Sequence, residues 1–148
     1  MKKLLLLLSL GLIAASAILL PRRLTAELPV PPSKPKHWTI TIPHWQPTRE
    51  DSRLTKQERY FAREDDRRVI SAACDEAGLP HSTEPRAVDL TVLLRKGQHR
   101  PPAEAIWPAI EDALGMCGRV GQVVRGSVKF ERHKGQEVGT TIRVREVR

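Results

Sequence analysis

The chain has 148 residues and a formal net charge of +8, from 25 Lys or Arg against 17 Asp or Glu, but the excess is local. Residues 1–23 carry four basic and no acidic groups, residues 24–118 carry 13 basic and 14 acidic, and residues 119–148 carry eight basic and three acidic. Overall charge therefore does not by itself mark a nucleic-acid-binding protein, and only the C-terminal thirty residues are a basic feature of the folded part. Two cysteines without C-x-x-C spacing and five scattered histidines offer no zinc motif.

Lys2 and Lys3 precede an apolar run from Leu4 to Leu20, closed by Arg22 and Arg23, which is the layout of a signal peptide or a short membrane-spanning helix. The run's 17 residues fall between the two classes, since a signal core takes about 7–15 residues and a spanning helix about 20. Ala15-Ser16-Ala17 supplies a small-residue cleavage site, whereas Ile18, Leu19 and Leu20 continue the run beyond it. Residues 1–23 are therefore expected to lie outside the fold, as a removed signal or a retained anchor that exports the domain or tethers it to a membrane. A later translation start would instead leave the domain cytoplasmic. Residues 24–36 hold Pro29, Pro31, Pro32 and Pro35 and read as a semi-rigid extended spacer. Residues 37–148 are long enough for one compact core.

Within that domain Trp38, Ile40 and Ile42 alternate with Thr39 and Thr41, the period of a half-buried strand, and Pro43 ends it. Thr55 and Glu58 have capping-box spacing, which predicts a helix from about Lys56 to Ala77. Gly78 and Pro80 stop it. Its stripe of Phe61 or Ala62, Val69, Ala73 and Ala77 is interrupted by Asp65 and Asp66, as expected of a helix lying on a sheet. A second strand is predicted over 86–95, with Val88, Leu90, Val92 and Leu94 as its inner face.

A short second helix follows within Ala103–Met116, with Trp107, Ile110 and Leu114 at helical spacing and Pro108 tolerable only in its first turn. Residues 120–126 read as irregular or a short strand. The segments SVKFER and TTIRVREV are predicted to form a C-terminal antiparallel hairpin, Val128, Phe130, Ile142 and Val144 facing inward and Lys129, Glu131, Arg143 and Arg145 outward. The expected fold is α/β: a small mixed sheet with two helices and that hairpin. Cys74 and Cys117 are either a disulfide pair or two thiols.

Lys129, Arg143 and Arg145, with Arg125, Arg132 and Arg148 nearby, form a candidate polyanion surface, though basic residues equally serve to protect a solvated edge. Arg59, Arg63 and Arg67 recur every fourth residue as a ridge that either extends a DNA track or is a wet helix face, and Glu64 is spaced to pair with Arg68. Glu104, Glu111 and Asp112 are the carboxylates of the second helix. In a continuous helix Glu104 and Asp112 would lie roughly 12 Å apart, too far to share one ion unaided. No Gly-rich phosphate loop, G-x-S-x-G, H-E-x-x-H or catalytic Cys/His spacing is present.

The words WPAIEDAL, VKFER and TTIRVREV, with the opening WTITIP and the strand RAVDLTVLL, resemble RusA-like Holliday junction resolvases over about residues 38–147. The resemblance implies a dimeric, Mg-dependent nuclease for branched DNA acting in recombination and repair, with an Asp cluster from a D-x-D-N-x-x-K motif and a later Asp pair. On this chain the first Asp falls on Pro102, the second on Glu104, the Asn on Ala105 and the Lys on Pro108, while Asp112 matches the Asp of a D-A-L word. Residues 115–126 contain no acid, so the second pair is missing. With so little charge left to hold Mg²⁺, the resemblance implies an inactive relative that keeps DNA binding. A tethered or exported interaction domain, and a residual Mg-dependent nuclease using Glu104 and Asp112, are the alternatives.

Overall fold

The computed structural model describes residues 34–49, 53–135 and 137–147. The expected targeting segment and most of the Pro-rich spacer lie outside these residues. The order of elements is β1 (His37–Pro43), α1 (Lys56–Glu76), β2 (Pro85–Leu94), a 3-10 turn (Ala103–Ala105), α2 (Trp107–Met116), β3 (Gln122–Arg132) and β4 (Gly139–Glu146). The mixed α/β class with two helices is as expected.

Both ends of α1 form as the sequence implies. The Thr55 hydroxyl accepts from the Glu58 amide at 3.2 Å, and the Glu58 carboxylate accepts from the Thr55 amide at 2.8 Å, so two orphan donors of the first turn are satisfied. Those bonds hold the Glu58 carboxyl below its ordinary pKa. Gly78 takes the left-handed φ of +66° that ends the helix. Pro108 sits in the first turn of α2, where its missing amide costs nothing, and the 3-10 turn absorbs residues 103–105.

The strand order is β1-β4-β2-β3, with β1 and β2 both antiparallel to β4, and β2 parallel to β3. This corrects the expected hairpin: β3 and β4 run in opposite directions in the same sheet, but β2 lies between them. The reason is burial. Val88, Leu90, Val92 and Leu94 are all no more than 2 % exposed, so β2 is the strand that gains most from a central place. The parallel β2 to β3 connection uses α2 as its crossover.

Ile40, Ile42, Val88, Leu90, Val92, Leu94, Ile142 and Val144 form one face of the sheet, packed on Ile70 and Cys74 of α1 and on Trp107, Ile110, Ala113 and Leu114 of α2. Phe61, an expected stripe residue, is instead exposed, and Asp66 occupies the buried stripe. Asp66 accepts the Thr48 amide at 3.1 Å and so pins the loop after β1 to α1. Cys74 is a buried thiol, pushed up to about 11 by desolvation, and Cys117 is likewise free.

Candidate nucleic-acid interface

Side chains alternate across each strand, so packing one face on the helices leaves the other as a grid set by the strand register. Across the sheet from β1 to β2, His37 faces Arg145, which faces Ala87. Thr39 faces Arg143, which faces Asp89, and Thr41 faces Thr141, which faces Thr91. On β3, Lys129 lies opposite Thr91 and Glu131 opposite Leu93. Among the described residues no helix covers this face, and Thr39, Lys129, Arg143 and Arg145 are exposed. A depression of about 340 Å³ lies over the Asp89, Ser127, Lys129, Arg143 and Arg145 end.

The register breaks between Val88 and Leu90, where β3 carries an extra residue. Asp89 holds that bulge: its Oδ1 accepts the Ser127 amide at 2.7 Å and the Ser127 hydroxyl at 2.8 Å. Arg145 approaches the other oxygen at 3.4 Å. The Ser127 amide first, then its hydroxyl and the nearby charges of Arg145 and Arg143, hold the Asp89 carboxyl below its ordinary range. Arg145 is thus partly neutralised, while among the described residues the side chains of Arg143 and Lys129 have no ion pair or hydrogen bond.

The structure therefore places Lys129, Arg143 and Arg145 on one face, as expected, but with β2 between Lys129 and the two arginines. Arg125 departs from the group. It lies on the helix side, where its guanidinium binds Glu111 through two bonds of 2.6 and 2.9 Å and approaches the Trp107 ring.

The Arg59, Arg63, Arg67 ridge does not survive intact. Arg67 turns onto α2 and makes a two-pronged pair with Asp112, Nε to Oδ2 at 2.7 Å and Nη2 to Oδ1 at 3.0 Å. A third bond, 3.1 Å long, reaches Glu64, so the helical ion pair is Glu64–Arg67 rather than the expected Glu64–Arg68. Arg59 and Arg63 border a small notch with Thr48, Arg49 and Pro108.

No family model and no curated protein matches the chain.

The candidate metal residues are not brought together. Both oxygens of Asp112 face Arg67, and Glu104 sits on the exposed 3-10 turn. Among the described residues no three His, Cys, Asp or Glu side chains converge as a metal site. A hard dication needs several converging oxygens, so Glu104 and Asp112 as placed do not fit Mg²⁺.

Two functions of arginine were missed from sequence. Arg86 is buried, its Nη1 donating to the carbonyls of Pro80 and Arg119 at 3.0 Å each, with its guanidinium 4.6 Å from the Trp38 ring centre. Arg119 is also buried and donates to the Leu79 carbonyl at 2.6 Å and to Asp75. Both tie the turn after α1 to the start of β3. Only the long-range fold reveals this, since neither has a local pairing signal.

Proposed function

We propose that the domain binds nucleic acid through the open face of its sheet, centred on Lys129, Arg143 and Arg145, and does not cleave it. The observation that carries this reading is the pair of exposed cations without an ion-pair partner, Lys129 and Arg143, on a sheet face that no helix of the described residues covers. Such cations contact phosphates without reading bases. Among its described residues the face has threonine and serine hydroxyls and no exposed Trp, Tyr or Phe, which suits a phosphate backbone better than stacked single-strand bases. The resemblance to RusA-like resolvases supports branched DNA as the substrate class, and the dispersed carboxylates support binding without Mg²⁺ chemistry.

The test is binding of the full chain to a four-way junction and to a matched duplex across a salt series. Three phosphate contacts predict a slope of about −2.7 in log affinity against log salt, so a fourfold rise in salt weakens binding by about 40-fold. Arg143→Glu with Arg145→Glu is expected to abolish most of this. Unchanged affinity in that variant would remove the open face as the site.

A second reading, an interaction domain without nucleic acid, is favoured by Tyr60 and Phe61. They are 60 % and 56 % exposed and meet edge to face on α1, an apolar pair that the other described residues leave uncovered. Loss of a protein partner in a Tyr60→Ser, Phe61→Ser variant, together with no binding of the full chain to the junction or the duplex, would establish it.

A further inference from the structure

Among the described residues, a larger group of exposed cations than the three of the open face lies at the end of the sheet where β2 and β3 stop. Arg95 and Lys96 follow β2, Arg100 lies four residues on, Arg132 and Lys134 end and follow β3, and Arg49 reaches in from the loop after β1. All six are exposed, and among the described residues of these segments the exposed acids are Glu131 and Glu137. Arg132 is the register partner of Leu94, so the two basic segments emerge side by side, roughly 5 Å apart in backbone spacing.

The turn that presents Arg95 and Lys96 is held by its own backbone and by a side-chain clasp. Gln98 donates its amide to the Arg95 carbonyl at 3.1 Å, and Gly97 has the φ of +81° expected at the third position of a type II turn. The Gln98 side chain accepts from the Arg95 amide at 2.9 Å and pairs reciprocally with Gln46, at 2.8 and 3.2 Å. Gln46 in turn donates to the Leu93 carbonyl at 2.7 Å. Arg49 reaches the His99 carbonyl, and Arg100 stacks 4.8 Å from the centre of the Phe130 ring. Among the described residues none of Arg95, Lys96, Arg132 and Lys134 has an ion-pair partner. Cations fixed on such a frame lose little entropy when they meet a ligand.

We infer that this end of the sheet, built on the Gln46–Gln98 clasp and carrying Arg95, Lys96, Arg100, Arg132 and Lys134, is a second phosphate-contacting surface for a nucleic-acid duplex. The inference rests on the nucleic-acid reading above and extends it. Six residues of β2 and the turn separate Asp89 from Arg95, roughly 20 Å at the rise of a strand, which is about six base pairs of duplex. One duplex can therefore span both surfaces. A membrane surface at this end of the sheet is disfavoured because, among the described residues, the large exposed apolar side chains, Tyr60, Phe61, Met116, Val124 and Val147, belong to other segments.

The experiment compares the full chain with three variants on a 20-base-pair duplex, by anisotropy over a salt series, with melting midpoints as the folding control. Arg95→Glu with Lys96→Glu is expected to weaken binding at least tenfold and to flatten the salt slope by about two. Gln98→Ala, which changes no charge, is expected to weaken binding several-fold while leaving the slope nearly unchanged. Wild-type affinity and slope in the Arg95, Lys96 variant would overturn the inference, as would equal loss of binding to anionic phosphatidylserine vesicles with none to duplex. If Arg143→Glu with Arg145→Glu binds normally while the Arg95, Lys96 variant does not, the open-face reading fails and this one stands. If only the open-face variant loses binding, the reverse holds.

Discussion

Ser127 donates twice to one oxygen of Asp89, through its amide at 2.7 Å and its hydroxyl at 2.8 Å, and by doing so fixes the β3 bulge beneath the basic face. The same carboxylate faces Arg145 and is the register partner of Arg143. It therefore has a structural role that favours its charge and an electrostatic role that weakens the surface above it. Two predictions separate them.

Because the Asp89 carboxyl is held below its ordinary range, its contribution to stability is present above about pH 4, the unfolded value, and is lost as pH falls through the lower folded value. Asp89→Ala is expected to cost about 1 kcal/mol at neutral pH and to remove part of the acid dependence in the range below about pH 4. Urea midpoints measured across that range test it. Asp89→Asn keeps an acceptor for Ser127 and deletes the charge. It is expected to bind nucleic acid two- to fivefold more tightly at low salt, and a weaker-binding Asp89→Asn would contradict the open-face site.

Gly126 is required for space rather than for an unusual φ. A Cβ built there would collide with the Asp89 carboxylate and with the Val88 carbonyl. Backbone does not yield cheaply, so Gly126→Ala is expected to destabilise by about 2 kcal/mol and to loosen the bulge. Faster hydrogen exchange at Ser127 is the local readout. A melting midpoint equal to the wild type would show that β3 simply shifts.

The contrast between β2 and the hairpin explains what was legible in the sequence. Local signals were read correctly: the alternation in 37–43 and 86–94, the Thr55–Glu58 box and the Gly78 stop each depend on neighbours in the chain. The C-terminal pairing was misread because alternation gives a strand its faces but not its partners, and β2, more apolar than β3, took the place beside β4. The face shared by Lys129, Arg143 and Arg145 survived this error, since parity is a property of each strand alone. What parity cannot show is which charges are already engaged. Arg67, Arg125 and Arg145 met carboxylates 45, 14 and 56 positions away in sequence, and the Gln46–Gln98 clasp joins residues 52 apart.

Asp66 is the counterpart of Asp89. It is 3 % exposed, and burial raises its carboxyl above the ordinary range despite hydrogen bonds from Thr48 and Trp45. A raised carboxyl favours the folded state when protonated, so this contribution fades as pH rises from about 4 through the folded value. Asp66→Asn is expected to lose that decline: its stability relative to wild type improves between pH 4.5 and 7. A relative stability that falls over the same interval would mean that the ionised carboxylate, not burial, dominates the site.

The Arg67–Asp112 pair is the last link between fold and function, because it decides whether α2 can hold a metal. Two parallel bonds at 2.7 and 3.0 Å between half-buried side chains clamp α1 to α2. A double-mutant cycle of Arg67→Ala and Asp112→Ala is expected to give a coupling of about 1–2 kcal/mol. Coupling near zero would class the pair with surface ion pairs that contribute nothing. While Arg67 occupies both carboxylate oxygens, millimolar Mg²⁺ is expected to leave the melting midpoint unchanged, because only a cation that binds the folded state stabilises it. Arg67→Ala releases Asp112, but Glu104 remains about two turns from it along the chain, so Mg²⁺ is still expected to have no effect. If Mg²⁺ stabilises the wild type and Glu104→Ala removes that stabilisation, the two carboxylates are drawn together on the ion in solution.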